Sequence, residues 1–219
     1  DWNNDNQTDL AVVNRDNSSV YILHNNNGVF SVSQTLSVDE RPIRTASGDW
    51  DEDSDADLAV LLRDSTQVQI WLNSGTGSFS KQTTSYAVGS SPIDMITGDW
   101  DCDGNPDLAV SNTGDDTISL IYGKGNGTFA EHVAINSGRG PGSMASADFN
   151  NDNKMDFVVG HRFFVSTPGV SLLTGDFSLT LSDTSSVTGY ASSVSFAATS
   201  EEDGAPPAEI VIFDADNDS

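Results

Sequence analysis

The sequence predicts an all-β chain of the β-propeller class, and three observations carry that prediction. An acidic segment recurs: DWNNDNQTDLAVV, GDWDEDSDADLAV, GDWDCDGNPDLAV and ADFNNDNKMDFVV set their first loop aspartates at Asp1, Asp49, Asp99 and Asp148, with spacings of 48, 50 and 49 residues. Each unit holds four short apolar or β-branched runs, cut by Gly, Asn and Pro turn signals at roughly 8–12-residue intervals. Helical periodicity is absent throughout. A unit of about 50 residues with four strands is the size of a four-stranded antiparallel propeller blade.

Within a unit the elements follow a constant order. After the acidic loop comes a first strand: LAVV at 10–13, LAVLL at 58–62, LAV at 108–110 and FVVG at 157–160. A polar connector such as NRDNSS (14–19) or LRDST (62–66) leads to a second strand, VYIL at 20–23, VQIWL at 68–72, ISLIY at 118–122 and VSLL at 170–173. A Gly/Asn turn closed by an aromatic follows, NNNGVF, NSGTGSF or GKGNGTF, and the third strand is expected to start at that aromatic. The fourth follows the proline of RPIRTASG or SPIDMITG. The reading is one propeller segment over 1–219, with repeats 1–48, 49–98, 99–147 and 148–200 and a partial, degenerate repeat at 201–219. That last unit aligns without gaps, SSVSFAATSEEDGAPPAEIVI (192–212) on SSPIDMITGDWDCDGNPDLAV (90–110), which places Glu201 at its loop start. FDADNDS (213–219) then occupies the place of a polar connector. About four blades are present, the expected share of a larger propeller or array.

The composition narrows the function classes. The chain has 219 residues, a net charge of −24 and only nine Lys and Arg, with no basic cluster, so nucleic acid and anionic membrane surfaces are excluded as partners. Tryptophans, phenylalanines and regular β-branched runs set it apart from acidic disordered chains. No apolar run reaches the length of a membrane span, so no membrane insertion is expected, and the N-terminus carries no signal-peptide pattern, as in a mature or trimmed segment. Cys102 stands alone, without a disulfide or thiolate-zinc partner.

Carboxylates this dense need a counter-cation. Each loop places oxygen-bearing side chains at positions 1, 3, 5 and 9: Asp1, Asn3, Asp5 and Asp9; Asp49, Asp51, Asp53 and Asp57; Asp99, Asp101, Asp103 and Asp107; Asp148, Asn150, Asp152 and Asp156. Alternation turns every second side chain of a tight loop toward one ion. A hard cation such as Ca²⁺ takes six to eight oxygens, one of them from a backbone carbonyl at position 7, that is Gln7, Asp55, Asn105 or Lys154. Position 6 needs a residue that tolerates positive φ, as Asn6, Gly104 and Asn153 do and Ser54 does least. An EF-hand is excluded, because position 12 is valine in every loop where that motif needs glutamate. Solvated polar turns are the bland alternative, and four loops in register speak against it. About four Ca²⁺ sites are expected. The fifth loop keeps Glu201, Asp203 and Glu209 but has Ala205 and Pro206 at positions 5 and 6, so weak or no binding is expected there.

DxDxDGxxD-like loops followed by DLAV, a strand and G-x-G-x-F resemble the FG-GAP or VCBS repeats, which build the integrin alpha-chain propeller and many secreted proteins. The resemblance covers nearly the whole chain and is weakest from about Phe163 onward. It implies calcium in a loop that joins the first two strands of each blade, and extracellular modules for adhesion, ligand binding or scaffolding.

Other features weigh less. Trp2, Trp50, Trp100 and Phe149 recur at loop position 2 and are read as packing between blades, with sugar stacking as the alternative. His24, His132 and His161 share no repeat position, and the glycines of NSGTGSF and GKGNGTF lie between strands with no helix to hold a phosphate. HRFFVSTPG (161–169) is a candidate partner patch. Asn-x-Ser/Thr occurs at Asn6, Asn17, Asn126 and Asn217; Asn6 lies in a metal loop, while Asn17 and Asn126 sit in turns. No nucleophile elbow or HExxH is present. The leading expectation is a calcium-stabilised extracellular or cell-surface module with a protein or carbohydrate ligand, and not an enzyme. The propeller of a polysaccharide-active enzyme and a self-assembling filament subunit are the alternatives.

Overall fold

The computed structural model describes residues 1–149 and 153–161, together with two strands at 170–173 and 179–181. The degenerate repeat from Glu201, Asn217, the segment 162–169, and the candidate ligands Asn150 and Asp152 lie outside the described residues. Every described element is a strand. The first sheet holds β1 (Leu10–Asn14), β2 (Ser19–Asn26) and β3 (Val29–Ser37). The second holds β4 (Pro42–Gly48), β5 (Asp57–Leu62), β6 (Gln67–Asn73) and β7 (Phe79–Ala87). The third holds β8 (Pro92–Gly98), β9 (Asp107–Asn112), β10 (Thr117–Ile121) and β11 (Val133–Asn136). The fourth holds β12 (Pro141–Ala147), β13 (Asp156–His161), β14 (Val170–Leu173) and β15 (Leu179–Leu181). Each sheet is an open antiparallel meander, and the first strands of successive sheets, β4, β8 and β12, lie side by side. This is the blade arrangement of a β-propeller.

The strand after each proline belongs to the following sheet, so sheets and sequence repeats are offset by one strand. The acidic loop therefore joins the first two strands of a blade, as the family resemblance implies. Proline at the start of β4, β8 and β12 suits an edge strand, where no ladder donor is needed, and a register shift follows at Pro42/Arg44, Pro92/Asp94 and Pro141/Met144. One expectation needs correction. Phe129 does not open the third strand of its repeat, the fourth of its blade; it makes an isolated bridge to Gly123, and β11 begins only at Val133. The Phe129 N–H is taken instead by the Tyr86 hydroxyl of the preceding blade at 3.0 Å.

Cores lie between sheets. All six residues of β5 are buried, because its two faces serve different neighbours. Leu58, Val60 and Leu62 pack with Val20, Ile22 and Leu36 of the first sheet, whereas Ala59 and Leu61 pack with Leu108 and Val110 of the third. On β1 the residues equivalent to Leu58 and Val60 are Leu10 and Val12, which are 42% and 43% exposed because no described sheet covers that face. The position-2 tryptophans pack between blades: Trp2 meets Phe79 edge-on with centroids 5.6 Å apart, Trp50 meets Phe129 at 5.7 Å, and Trp100 stacks on Phe157 at 4.8 Å. Polar links add to this seam. Arg44 pairs with Asp94 at 3.0 Å, and the other Asp94 oxygen accepts the Met144 N–H at 3.0 Å, so one carboxylate joins three neighbouring strands.

Candidate metal centres in the acidic loops

Each loop is wound around its own carboxylates. The position-1 aspartate accepts the N–H of position 6, from Asn6, Ser54, Gly104 and Asn153 to Asp1, Asp49, Asp99 and Asp148 at 2.6, 3.0, 3.0 and 2.8 Å. The position-5 aspartates Asp5, Asp53 and Asp103 accept the N–H of position 7 at 2.8–2.9 Å. Position 9 closes the loop. One Asp57 oxygen accepts the Trp50 N–H at 3.0 Å and the other accepts the Asn73 N–H at 2.8 Å. Asp9 and Asp107 repeat the clamp on Trp2 and Asn25, and on Trp100 and Gly123. Asp156 accepts the Phe149 N–H at 2.9 Å.

These turns bring selected carboxylates together. Asp49, Asp51 and Asp57 each offer an oxygen, all within 4.8 Å of one another, and Asp99, Asp101 and Asp107 do the same. Positions 1, 3 and 9 thus converge in loops two and three, while Asp53 and Asp103 stand outside the groups with one oxygen on the position-7 N–H. Loop one has the amide of Asn3 in place of the third carboxylate, and Asn3 Nδ2 donates to Asp5 at 3.0 Å. Burial, then the charges of Asp51 and Asp53, push the Asp57 carboxyl up to about 6; burial and the charges of Asp101 and Asp103 do the same to Asp107. Asp51 and Asp101 are also raised, first by burial and then by the neighbouring Asp53 and Asp103 charges.

The residues fit a divalent cation on an observation independent of the motif. The Oδ1 atoms of Asp49 and Asp51 are buried and have no hydrogen-bond partner. Buried acceptors are ordinarily satisfied, and here two orphaned carboxylate oxygens belong to the same three-residue group. The donor set is all oxygen, the preference of a hard ion such as Ca²⁺. A hollow of about 330 Å³, lined by Ser47, Thr97, Asp99, Gly104 and Pro106 among others, runs beside loop three.

The FG-GAP-like repeat pattern matches three overlapping stretches, residues 1–60, 49–110 and 99–159. The chain belongs to the FG-GAP-like repeat family. No curated protein matches this FG-GAP-like chain. Among solved structures it is similar to BBS1N in complex with ARL6DN: one crystal, soaked with mercury, is 15% identical with a TM-score of 0.52, covering 80% of this chain and 46% of that one. A second, soaked with lead, is 11% identical with a TM-score of 0.57, covering 82% and 52%. The V. cholerae biofilm matrix protein Bap1 is 18% identical at a TM-score of 0.39, covering 82% of this chain and 37% of that one. The FG-GAP-like chain spans about half the length of the BBS1N chains it matches.

Three features of these loops escape a reading of the motif. Position 4 also has positive φ, 59° at Asn4, 58° at Glu52 and 59° at Cys102, beside the expected positive φ at position 6. Three chemically unlike residues hide that requirement. Neighbouring loops also touch: Asn4 Nδ2 donates to Asp55 at 2.8 Å and to the Gly75 carbonyl at 3.2 Å. The third is the role of the G-x-G turns. Gly125 and Gly127 have φ of 64° and 75°, the Gly127 N–H donates to the Trp50 carbonyl at 2.7 Å, and a Cβ on Gly125 would meet both Asn105 and Glu52 at 2.5 Å. The recurring G-x-G spacing was the available signal; these glycines let a hairpin seat against the acidic loop of the preceding blade.

Proposed function

We propose that this FG-GAP-like chain is a calcium-binding propeller module of the extracellular or cell-surface kind, acting by binding or assembly and not by catalysis. The observation that carries the reading is the convergence of Asp49, Asp51 and Asp57 with two buried, unpartnered oxygens; Asp99, Asp101 and Asp107 repeat the convergence. These six residues would hold the ions, with Asn3 completing a less acidic set in loop one. A bound cation would supply charge neutralisation, allowing carboxylates that burial and mutual repulsion now disfavour to stay ionised. The chain's own part is to preorganise the site, through the position-1 and position-9 hydrogen bonds that hold the loop against two strands.

Extracellular modules with oxygen-ligand sites bind Ca²⁺ at about 10⁻⁴–10⁻³ M, a concentration met outside cells and not in resting cytosol, which supports the extracellular reading. A protein ligand on the propeller surface is supported by the relative solved in complex with ARL6DN; carbohydrate remains the other ligand class. The test is thermal unfolding of the purified chain with millimolar Ca²⁺, with Mg²⁺ and with chelator. A large Ca²⁺-specific rise in Tm is expected, and equal melting in all three conditions would sink the metal account.

A further inference from the structure

The hairpin tip between β10 and Phe129 carries the sequence Asn126-Gly127-Thr128, and its geometry sets it apart from the other Asn-x-Ser/Thr sites among the described residues. Asn126 is exposed at the apex of a turn closed by Lys124 N–H on the Thr128 carbonyl at 3.0 Å. Its Oδ1 accepts both the Thr128 hydroxyl, at 2.6 Å, and the Thr128 N–H, at 3.1 Å. Both bonds fall on the amide oxygen of this exposed residue, which leaves Nδ2 without a hydrogen bond. Gly127 meanwhile is buried, tied to the Trp50 carbonyl, so the turn is anchored beneath the exposed asparagine.

The other two described sites lack this arrangement. At Asn17 the hydroxyl two residues on belongs to Ser19, which is buried in β2 and makes no bond to the asparagine amide. Asn6 sits inside an acidic loop at φ 65°, its N–H on Asp1, and a bulky group there would stand between ligand positions 5 and 7.

We propose that Asn126 is the N-glycan acceptor of this chain. In the reaction, Nδ2 attacks C1 of a lipid-linked pyrophosphate oligosaccharide. An N–C1 bond forms, the C1–O bond to pyrophosphate breaks, the lipid pyrophosphate leaves, and one Nδ2 proton passes to the transferase base; nothing is oxidised or reduced. The product carries the glycan outward from the hairpin tip, above the seam between the second and third blades, without disturbing the Gly127 anchor.

The assignment rests on the extracellular reading, because the lipid-linked donor is met on a secretory route. The experiment expresses the full chain behind a cleavable secretion leader in a eukaryotic host. Both secreted and cell-retained material are treated with peptide-N-glycosidase in ¹⁸O water and mapped by mass spectrometry. The expected result is an ¹⁸O-labelled aspartate at 126, lost in N126Q and in T128A and retained in T128S, with Asn126 occupancy above that at Asn6 and Asn17. An unlabelled Asn126 in both fractions, or label concentrated at Asn17 or Asn6, overturns the proposal. Ca²⁺-dependent melting of the N126Q chain is read in parallel, so failure of the calcium reading is distinguished from failure of the acceptor.

Discussion

Carboxylates in the acidic loops differ in how far the turn itself depends on them, and substitutions should separate those that hold the turn from those whose proposed role is the cation alone. Asp57 is fully buried and gives one oxygen to each of two backbone N–H groups. Asp57→Asn places an NH₂ opposite one of those donors, so the chain should lose about 1–3 kcal/mol even in chelator, seen as a lower denaturant midpoint. Asp51 behaves oppositely. Its carboxyl is raised by burial and by Asp53, and its Oδ1 has no partner, so Asp51→Asn should raise Tm in chelator while weakening the Ca²⁺-induced shift. If both variants fell together in chelator, the division would be wrong. A third position is governed by space alone: a Cβ on Gly98 would lie 2.7 Å from the Trp100 ring, so Gly98→Ala should cost about 1–3 kcal/mol by overpacking in an equilibrium unfolding measurement.

Strands and hairpins show how much was legible in the sequence. LAVLL and VQIWL read as strands because a strand pressed between two sheets is apolar on both faces, and β5 is buried at every residue. The acidic loops were legible because oxygen-bearing residues at alternate positions recur at a fixed period. Which sheet takes the strand after each proline was legible only through the family resemblance, since that strand is adjacent in sequence to both candidates and local pattern does not decide its pairing. Phe129 marked a strand start that the Tyr86 hydroxyl of the preceding blade takes away. Contacts between loops and hairpins of adjacent blades link residues about 70 positions apart, such as Asn73 Nδ2 on the Trp2 carbonyl at 3.0 Å, where local pattern carries no signal. That contact has a measurable consequence. Asn73→Ala removes it together with the bond to the Ala56 carbonyl, so hydrogen exchange should accelerate in residues 1–9 as well as in the hairpin itself. Acceleration confined to the hairpin would show that the blades hold their loops independently.

At the scale of the whole molecule, a net charge of −24, with one buried aspartate closing each acidic loop, makes stability depend on pH and on any bound metal together. Asp57 and Asp107 are raised to about 6 by burial and by neighbouring carboxylates, well above an unfolded aspartate. Between about pH 4 and pH 6 the metal-free folded chain therefore holds protons that the unfolded chain has released, and stability falls as pH rises through that window. Asp39, Asp64, Asp103 and Asp115 are lowered, by Lys81, by Arg41, by the Asn105 N–H and by the Ser90 N–H respectively. Their contribution is lost only on acidification below the ordinary aspartate range, so it leaves the slope above pH 4 unchanged. A calcium ion bound as proposed would reverse the sign, because its ligands must be ionised and binding is favoured by releasing the same protons. In chelator the chain should melt higher at pH 5 than at pH 7.5, and in saturating Ca²⁺ it should melt higher at pH 7.5. Melting curves at the two pH values, with and without the ion, check both halves. His161, lowered by burial, acts with the opposite sign in this window, so a metal-free chain that gained stability from pH 5 to pH 7.5 would mean that the carboxylates of loops two and three contribute less than this one histidine and are not gathered around a site.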